Sequence, residues 1–334
     1  MAGKLPVEML RKYVFARTGA PDPDVLVGPS YGEDAAIINL GGKVLVIHAD
    51  PITGAVEKLG WLAVNVACND IAVRGAKPRW LVQVLLLPEG CGEELIDRIT
   101  KQVDEAAREL GVAVVGGHSE YTAGLGRPMI TMTAVGVAER EKYVTTGGAR
   151  PGDALVMTKT AGVEGTAILA TDFADALLRK GIEPSLVRSG AGFIKRISVV
   201  REALKLAEVG VHAMHDPTEG GVLGGLAEIA YSSNVLVRVW EDRIPVAKET
   251  AFFCRALRLD PLKLISSGVL LAAVPPDRLK EAVEELSTLG IKASVIGRVE
   301  EGQGLLLHRS DGSVERIGEY VAEELMRLWD AEKL

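Results

Sequence analysis

The sequence predicts an α+β protein of two domains, and three observations carry that expectation. Short β-branched runs alternate with amphipathic stretches through the first half. A segment without hydrophobic period, Thr145-Thr146-Gly147-Gly148-Ala149-Arg150-Pro151-Gly152, then interrupts the pattern, and the strand-helix rhythm restarts after it. A length of 334 residues suits two domains at about 100–200 residues each, so we place them at 1–148 and 149–334.

The elements follow in order. Residues 35–40 and 43–49 are rich in Val, Ile and Ala and flank Gly41-Gly42, a hairpin pattern. Across 57–75, Leu59, Leu62, Ala63, Val66 and Ala67 recur at helical spacing, and Gly75 stands where the helix should stop. Residues 78–88 read as a mostly apolar strand. Residues 93–110 read as a helix with its charges on one face and Gly111 at its end. Two strands follow, at 112–115 and 128–138. This order predicts helices on one face of a largely antiparallel sheet. In the second half we expect a strand at 153–158 and helices near 163–180 and 196–209. A Gly-rich turn at 215–221 then enters a helix to 232. Strands at 235–240 and 269–274, a helix at 276–289, and strands at 292–299 and 304–309 complete an α/β sandwich. No short repeat or low-complexity tract is present.

Composition excludes several classes. With 48% hydrophobic residues and a quarter charged, both signs mixed, the chain can bury a core and is not disordered. A formal net charge of −7 and the lack of a long Lys/Arg run argue against a nucleic-acid partner. Cys68, Cys91 and Cys254 are far apart and form no C-x-x-C pair, which excludes a disulfide framework and fits a reducing compartment. Glu8, Arg11 and Lys12 interrupt any signal-peptide core, and charge-free runs such as 264–276 are too short to cross a membrane. We therefore expect a soluble cytoplasmic protein with no membrane partner. The P-loop, Rossmann and G-x-S-x-G patterns are absent.

Four acid-and-glycine clusters carry the chemistry: Gly32-Glu33-Asp34-Ala35-Ala36, His48-Ala49-Asp50-Pro51, Asn69-Asp70, and Gly116-Gly117-His118-Ser119-Glu120 directly after the 112–115 strand. Asp70 lies among Val64, Val66, Ala67, Ile71 and Ala72, where a carboxylate is costly unless paired or bound to a cation. It reads as a buried capping acid or as a ligand. Asp34 and Asp50, taken singly, read as turn formers or caps. Together, separated hard oxygen ligands without a cysteine or a tight histidine pair suit Mg²⁺, which usually carries a nucleotide phosphate as well. In the second half, His215-Asp216-Pro217-Thr218-Glu219-Gly220-Gly221 opens an apolar helix. Asp216 or Thr218 can cap it, and bare amides at Gly220 and Gly221 would make an anion site. His212 and His215 read as a metal pair or as structural. Ser266-Ser267-Gly268 reads equally as a turn or a substrate-touching loop.

In this order the clusters resemble the PurM-like superfamily, named for aminoimidazole ribonucleotide synthetase. It includes the hydrogenase maturation factor HypE, thiamine-monophosphate kinase and selenophosphate synthetase. The likeness runs from about Gly28 to Gly304. Gly32-Glu33-Asp34-Ala35-Ala36 resembles the family's first metal-binding turn, Asp50 its strand-end acid, and Asn69-Asp70 with Gly75-Ala76-Lys77-Pro78 its most diagnostic helix. The second half is most similar to HypE, through Met214-His215-Asp216-Pro217-Thr218-Glu219-Gly220-Gly221 and Ile265-Ser266-Ser267-Gly268-Val269-Leu270-Leu271. The resemblance implies a mixed or antiparallel N-terminal sheet that forms a barrel with a second subunit, and ATP with Mg²⁺ in a cleft near that homodimer interface. There are three departures. The chain ends Trp329-Asp330-Ala331-Glu332-Lys333-Leu334 without HypE's terminal cysteine, so the tail thiol reaction in cis is not expected. His118 stands where relatives usually carry an acid, leaving Glu120 as a substitute. Glu219 stands where HypE usually has arginine.

The expected mechanism is ATP-dependent activation of an oxygen. Asp34, Asp50 and Asp70 hold Mg²⁺. Gly32, Asn69, Gly116, Gly117, Asp216, Thr218, Glu219, Gly220 and Gly221 line the nucleotide site with Asp34. Asp70, His118 and His215 are the catalytic candidates, the imidazoles as acid–base groups. The acceptor is an unidentified small molecule or protein, and other maturation proteins are candidate partners. Competing readings are a small-molecule kinase of the thiamine-monophosphate type and a non-catalytic nucleotide-binding assembly factor.

Overall fold

The computed structural model describes residues 4–52 and 57–331. The N-terminal half begins with a short α1 (Val7–Met9) that runs into a π-turn over Leu10–Val14. A six-stranded sheet follows: β1 (Val25–Val27), β2 (Ala36–Leu40), β3 (Lys43–Ile52), β4 (Lys77–Pro88), β5 (Ala113–Thr122) and β6 (Met129–Glu139), in the order β1-β2-β3-β6-β4-β5. Every pairing is antiparallel except β4 with β5, whose crossover is a helix. The two helices are α2 (Leu59–Ala72) and α3 (Glu93–Leu110), which ends at Gly111 in the left-handed region (φ 67°). Strict alternation along β6 turns Ile130, Met132 and Ala134 into the core under α2, as the period-two pattern requires. The mixed sheet with helices on one face thus agrees with the sequence.

Among the described residues no helix covers the opposite face of this sheet. Leu45, Ile47, Val84, Leu86, Val135 and Val137 are half-buried there, and at its edge Val82, Val114, Val115 and Tyr121 are exposed.

After the 145–152 segment comes a seven-stranded sheet: β7 (Ala154–Thr158), β8 (Ala213–His215), β9 (Leu236–Trp240), β10 (Leu271–Val274), β11 (Ala293–Glu300), β12 (Gly304–His308) and β13 (Val314–Ile317), ordered β13-β12-β9-β11-β7-β10-β8. Its helices are α4 (Val163–Thr171), α5 (Ala174–Arg179), α6 (Pro184–Ala191), α7 (Val200–Val209), α8 (Gly221–Ser232), α9 (Lys248–Leu257), α10 (Leu279–Thr288) and the terminal α11 (Met326–Ala331). The single helix expected over 163–180 is two, because Phe173 leaves helical geometry (ψ 20°) and buries its ring. β1, β8, β13, α6 and α9 were not foreseen; three of them are strands of three or four residues, too short to show a period.

Side chains of α2 stitch the halves together. Asn69 is fully buried; its Nδ2 donates to the Ile197 carbonyl at 2.9 Å and its Oδ1 accepts the Val199 N–H at 2.8 Å. Trp61 Nε1 donates to the Ile194 carbonyl at 3.1 Å. With both ends of its carboxamide engaged, Asn69 is an interdomain strut rather than the nucleotide contact the sequence suggested. Replacing Asn69 by Ala strands a buried N–H and a carbonyl, so urea denaturation should show a loss of about 1–3 kcal/mol.

Candidate functional site

The GED turn before β2, the C-terminal part of α2 and the β8–α8 loop bring Asp34, Asp70 and Asp216 together, with one ligand oxygen of each within 4.8 Å of the others. The turn can lie flat against α8 because Gly32 adopts φ +75°; a Cβ there would stand 2.4 Å from Ser232 Oγ. Asp216 is 1% exposed and neither carboxylate oxygen has a hydrogen-bond partner; Asp70 is 5% exposed and its Oδ2 has none. Burial pushes both carboxyls well above the usual carboxylate range, helped by Asp216 and Asp34 at Asp70 and by Asp34 at Asp216.

Asp34 differs. Arg74, fully buried, donates from Nη2 to Asp34 Oδ2 at 2.9 Å, to Thr146 Oγ1 at 2.9 Å and to the Met214 carbonyl at 2.6 Å, while Nη1 reaches Glu33 Oε2 at 2.6 Å. Glu33 also accepts the Thr146 and Gly147 N–H groups of the interdomain segment. On its other side Asp34 Oδ2 meets His215 Nδ1 at 2.8 Å, and His215 Nε2 meets Glu228 Oε2 at 2.7 Å. Burial opposes charge on His215, but Asp34 and Glu228 outweigh it and push the imidazole up to about 10, so it is an imidazolium at neutral pH. Burial likewise resists ionisation of Glu228, yet Lys4 (Nζ 3.0 Å away) and His215 hold it at about 2. Burial also disfavours the charge on Asp34, but His215 and Arg74 keep its carboxyl below the ordinary value. The result is a chain of alternating charge, Arg74–Asp34–His215–Glu228–Lys4, of which Asp34, Glu228 and Lys4 line a cavity of about 230 Å³.

The sequence had proposed Asp50 as the third acid of a metal set; the structure brings Asp216 into that place. Asp50, at the end of β3, stands aside, though its charge still raises Asp70. Burial, then Glu219 and Asp34, push Asp50 itself up to about 7. His48 Nε2 stands 3.4 Å from Asp70 Oδ2, and burial lowers the histidine's pKa. His215, a candidate acid–base group, has both nitrogens occupied by carboxylates, one of them Asp34.

Two other expectations change. The strand predicted to end at 115 continues as β5 to Thr122, because after a bulge at Val115 β4 pairs with it from Gly116 that far. Gly116, Gly117 and His118 are therefore exposed mid-strand residues on a sheet edge, and His118 pairs with Glu120 at 3.0 Å instead of joining the aspartates. The α8 N-terminus does not present bare amides: Gly220 N–H donates to Glu323 Oε2 at 2.9 Å, and Gly221 N–H is satisfied by the Thr218 carbonyl. Thr218 and Glu219 remain half-buried beside Asp50. Arg74 and Glu228 were missed as site residues, although an arginine closing an otherwise apolar helix was a legible signal. His212 turns away to pair with Asp153 at 2.9 Å, so it forms no metal pair with His215. Cys68 and Cys254 are buried, and burial pushes both thiols up to about 12, away from any thiolate role.

Three convergent aspartates, two of them with unsatisfied oxygens, make an all-oxygen hard donor set that fits Mg²⁺. Comparisons with known proteins agree in family. The AIR synthase related protein N-terminal domain matches residues 32–138, and the C-terminal domain of the same family matches 150–309. Carbamoyl dehydratase HypE of Cupriavidus necator is 34% identical over 81% of this chain and 76% of its own. The crystal structure of hydrogenase maturation protein HypE in complex with ATP superposes with a TM-score of 0.72 at 28% identity, covering 88% of this chain and 90% of that one. A HypE–HypF complex gives 0.71 at 26% identity, over 85% and 92%. Matches on both sides of the interdomain segment, and a relative this similar over most of its length, place the chain in the PurM-like AIR synthase related family, to which the HypE proteins also belong.

Proposed function

We propose that the protein is an ATP-dependent enzyme of the HypE type, which activates the oxygen of an amide, carboxylate or similar group by phosphorylating it. The observation that carries this reading is the meeting of Asp34, Asp70 and Asp216 at one buried point, where both oxygens of Asp216 and Oδ2 of Asp70 have no hydrogen-bond partner and Arg74 and His215 hold Asp34. These three would hold Mg²⁺, which supplies charge neutralisation for a triphosphate. Arg74 and His215 keep Asp34 ionised and fixed in orientation. In the transfer, the acceptor oxygen bonds to the γ-phosphorus as the bond from that phosphorus to the β–γ bridging oxygen breaks, and ADP leaves with the electron pair. Such chemistry asks a protein mainly to position groups and balance charge, which a rigid, buried site does well.

The chain acts as a homodimer in this reading. The uncovered sheet face and the unpaired edge of β5, with Val115 and Tyr121 each 57% exposed, suit a second copy closing the sheet. His118, Gly116 and Gly117 then lie on the dimer face. A protein acceptor or partner is supported by the HypE–HypF assembly of the relative. Among the described residues no helix is long and apolar enough to cross a membrane, and free cysteines suit the cytoplasm.

Incubation with Mg²⁺ and γ-labelled ATP, with and without cell extract, should release labelled phosphate in an acceptor-dependent way. Label retained in a stable small molecule identifies a kinase instead, and no turnover identifies an assembly factor. Asp70→Asn and Asp216→Asn should each abolish turnover and the Mg²⁺-dependent rise in melting temperature, while the metal-free variants melt no lower than the parent because a carboxyl whose ionisation burial disfavours gives way to a neutral amide of the same shape. Light scattering should find a dimer, and Val115→Glu should shift it to monomer.

A further inference from the structure

A separate cleft of about 740 Å³ opens where the C-terminal end of α3 meets the segment that leads into α7. It shares no lining residue with the aspartate trio or with the cavity beside Lys4. Lys195, Arg196, Arg201 and Lys292 are exposed in its lining, and among the described residues none of the four is ion-paired. Lys159 also lines it but spends its charge inwards. Its Nζ stands 2.6 Å from Glu202 Oε1 and donates to the Ser198 and Gly268 carbonyls at 2.8 and 2.7 Å. With Glu202 committed to Lys159, Glu109 is the one acid among the lining residues without a cation. Four free cations therefore face one free acid in a chain whose formal net charge is −7. The cleft is positive where the molecule as a whole is negative.

Neutral donors point the same way. Thr160, beside Lys159, holds its Oγ1 away from solvent with no hydrogen-bond partner. The first turn of α7 lines the cleft as well. The Val199 N–H is taken by Asn69 and the Val200 N–H by Ser198 Oγ, but among the described residues nothing accepts the Arg201 or Glu202 N–H. Those amides carry the positive end of the helix dipole. Arg196 is held in place by its packing on the buried Phe193 ring, 4.4 Å from the centroid. Two guanidinium forks and two ammonium groups suit an oxyanion with several oxygens, as a phosphate has. Among the described lining residues there is no aromatic ring, so a nucleobase or a nucleic-acid strand has nothing to stack on. The volume is that of a small-molecule site.

We infer that this cleft binds a small molecule through a multiply charged phosphate group, whose oxygens are shared by Arg196, Arg201, Lys195, Lys292 and the Thr160 hydroxyl. The binding is non-covalent and needs no divalent ion, and it does not rest on the function proposed above. Without a ligand the four cations repel one another across the cleft, a cost that the phosphate removes. The wall that carries Lys195 and Arg196 is also the segment to which α2 is tied, through Trp61 to the Ile194 carbonyl and through Asn69 to Ile197 and Val199. An occupied cleft thus steadies the seam between the two halves of the chain.

Methyl NMR of the full chain with labelled Ile side chains, in EDTA so that no divalent ion is present, tests it with inorganic pyrophosphate as probe. Ile291, which lines the cleft, should shift saturably, and Ile52, beside Asp50, should not. Sodium chloride of equal ionic strength and citrate should each act at least about tenfold more weakly than pyrophosphate. Arg201→Gln should weaken the pyrophosphate response at least about tenfold, the loss of one charge-assisted contact, and Thr160→Val should weaken it less. Glu109→Gln, an exposed change at the end of α3, should tighten it about twofold by removing the opposing charge. Asp70→Asn, which removes Mg-ATP binding in the function proposed above, should leave the response intact, so failure of the cleft and failure of the ATP site are separately visible. Absence of a saturable shift at Ile291, an equal response to citrate or chloride, or a response unchanged in Arg201→Gln overturns the inference.

Discussion

The buried guanidinium of Arg74 is the contact on which the rest of the site depends. Fully enclosed, it depends on partners for its donors, and its two terminal nitrogens find four of them on three separate segments: Glu33 and Asp34 in the first turn, Thr146 in the interdomain segment and the Met214 carbonyl in β8. A buried charge of this kind is weak evidence of added stability, since desolvation consumes much of the attraction. What it fixes is geometry. With Arg74 and His215 both committed to Asp34 Oδ2, that carboxylate has little freedom left, and the two more weakly ionised aspartates face it across a short gap.

Much of the fold was legible because both sheets are built from segments long enough to show their period. β3, β4 and β6 and the helices α2 and α3 match the expected spans to within a few residues. Segments of three or four residues, such as β1, β8 and β13, carry no period and gain their identity from the strands they pair with. β5 shows the complementary failure. Gly116-Gly117 reads as a break, yet a strand already held by β4 tolerates it, so tertiary pairing overrides local propensity.

The site was half legible. Asp34 and Asp70 were recognisable because a carboxylate in an apolar or Gly-rich setting is conspicuous, and they do meet. Asp216 was read as a cap and as a nucleotide contact but not as a metal ligand, since its proximity to the other two arises only when the second domain folds against the first. The acid that completes Asp34's setting, Glu228, sits inside an apolar helix much as Asp70 does, and the same rule applied there would have found it.

The carboxylate of Glu323 at the start of α8 has a consequence for how a nucleotide is held. The positive pole of that helix is already neutralised from within, and the neighbouring cations Arg74, His215 and Lys4 are each tied to an acid. A polyanion arriving alone meets a neutral or negative wall. In the proposed reading, the grip on ATP is thus conditional on the divalent ion, which must arrive with the nucleotide or before it.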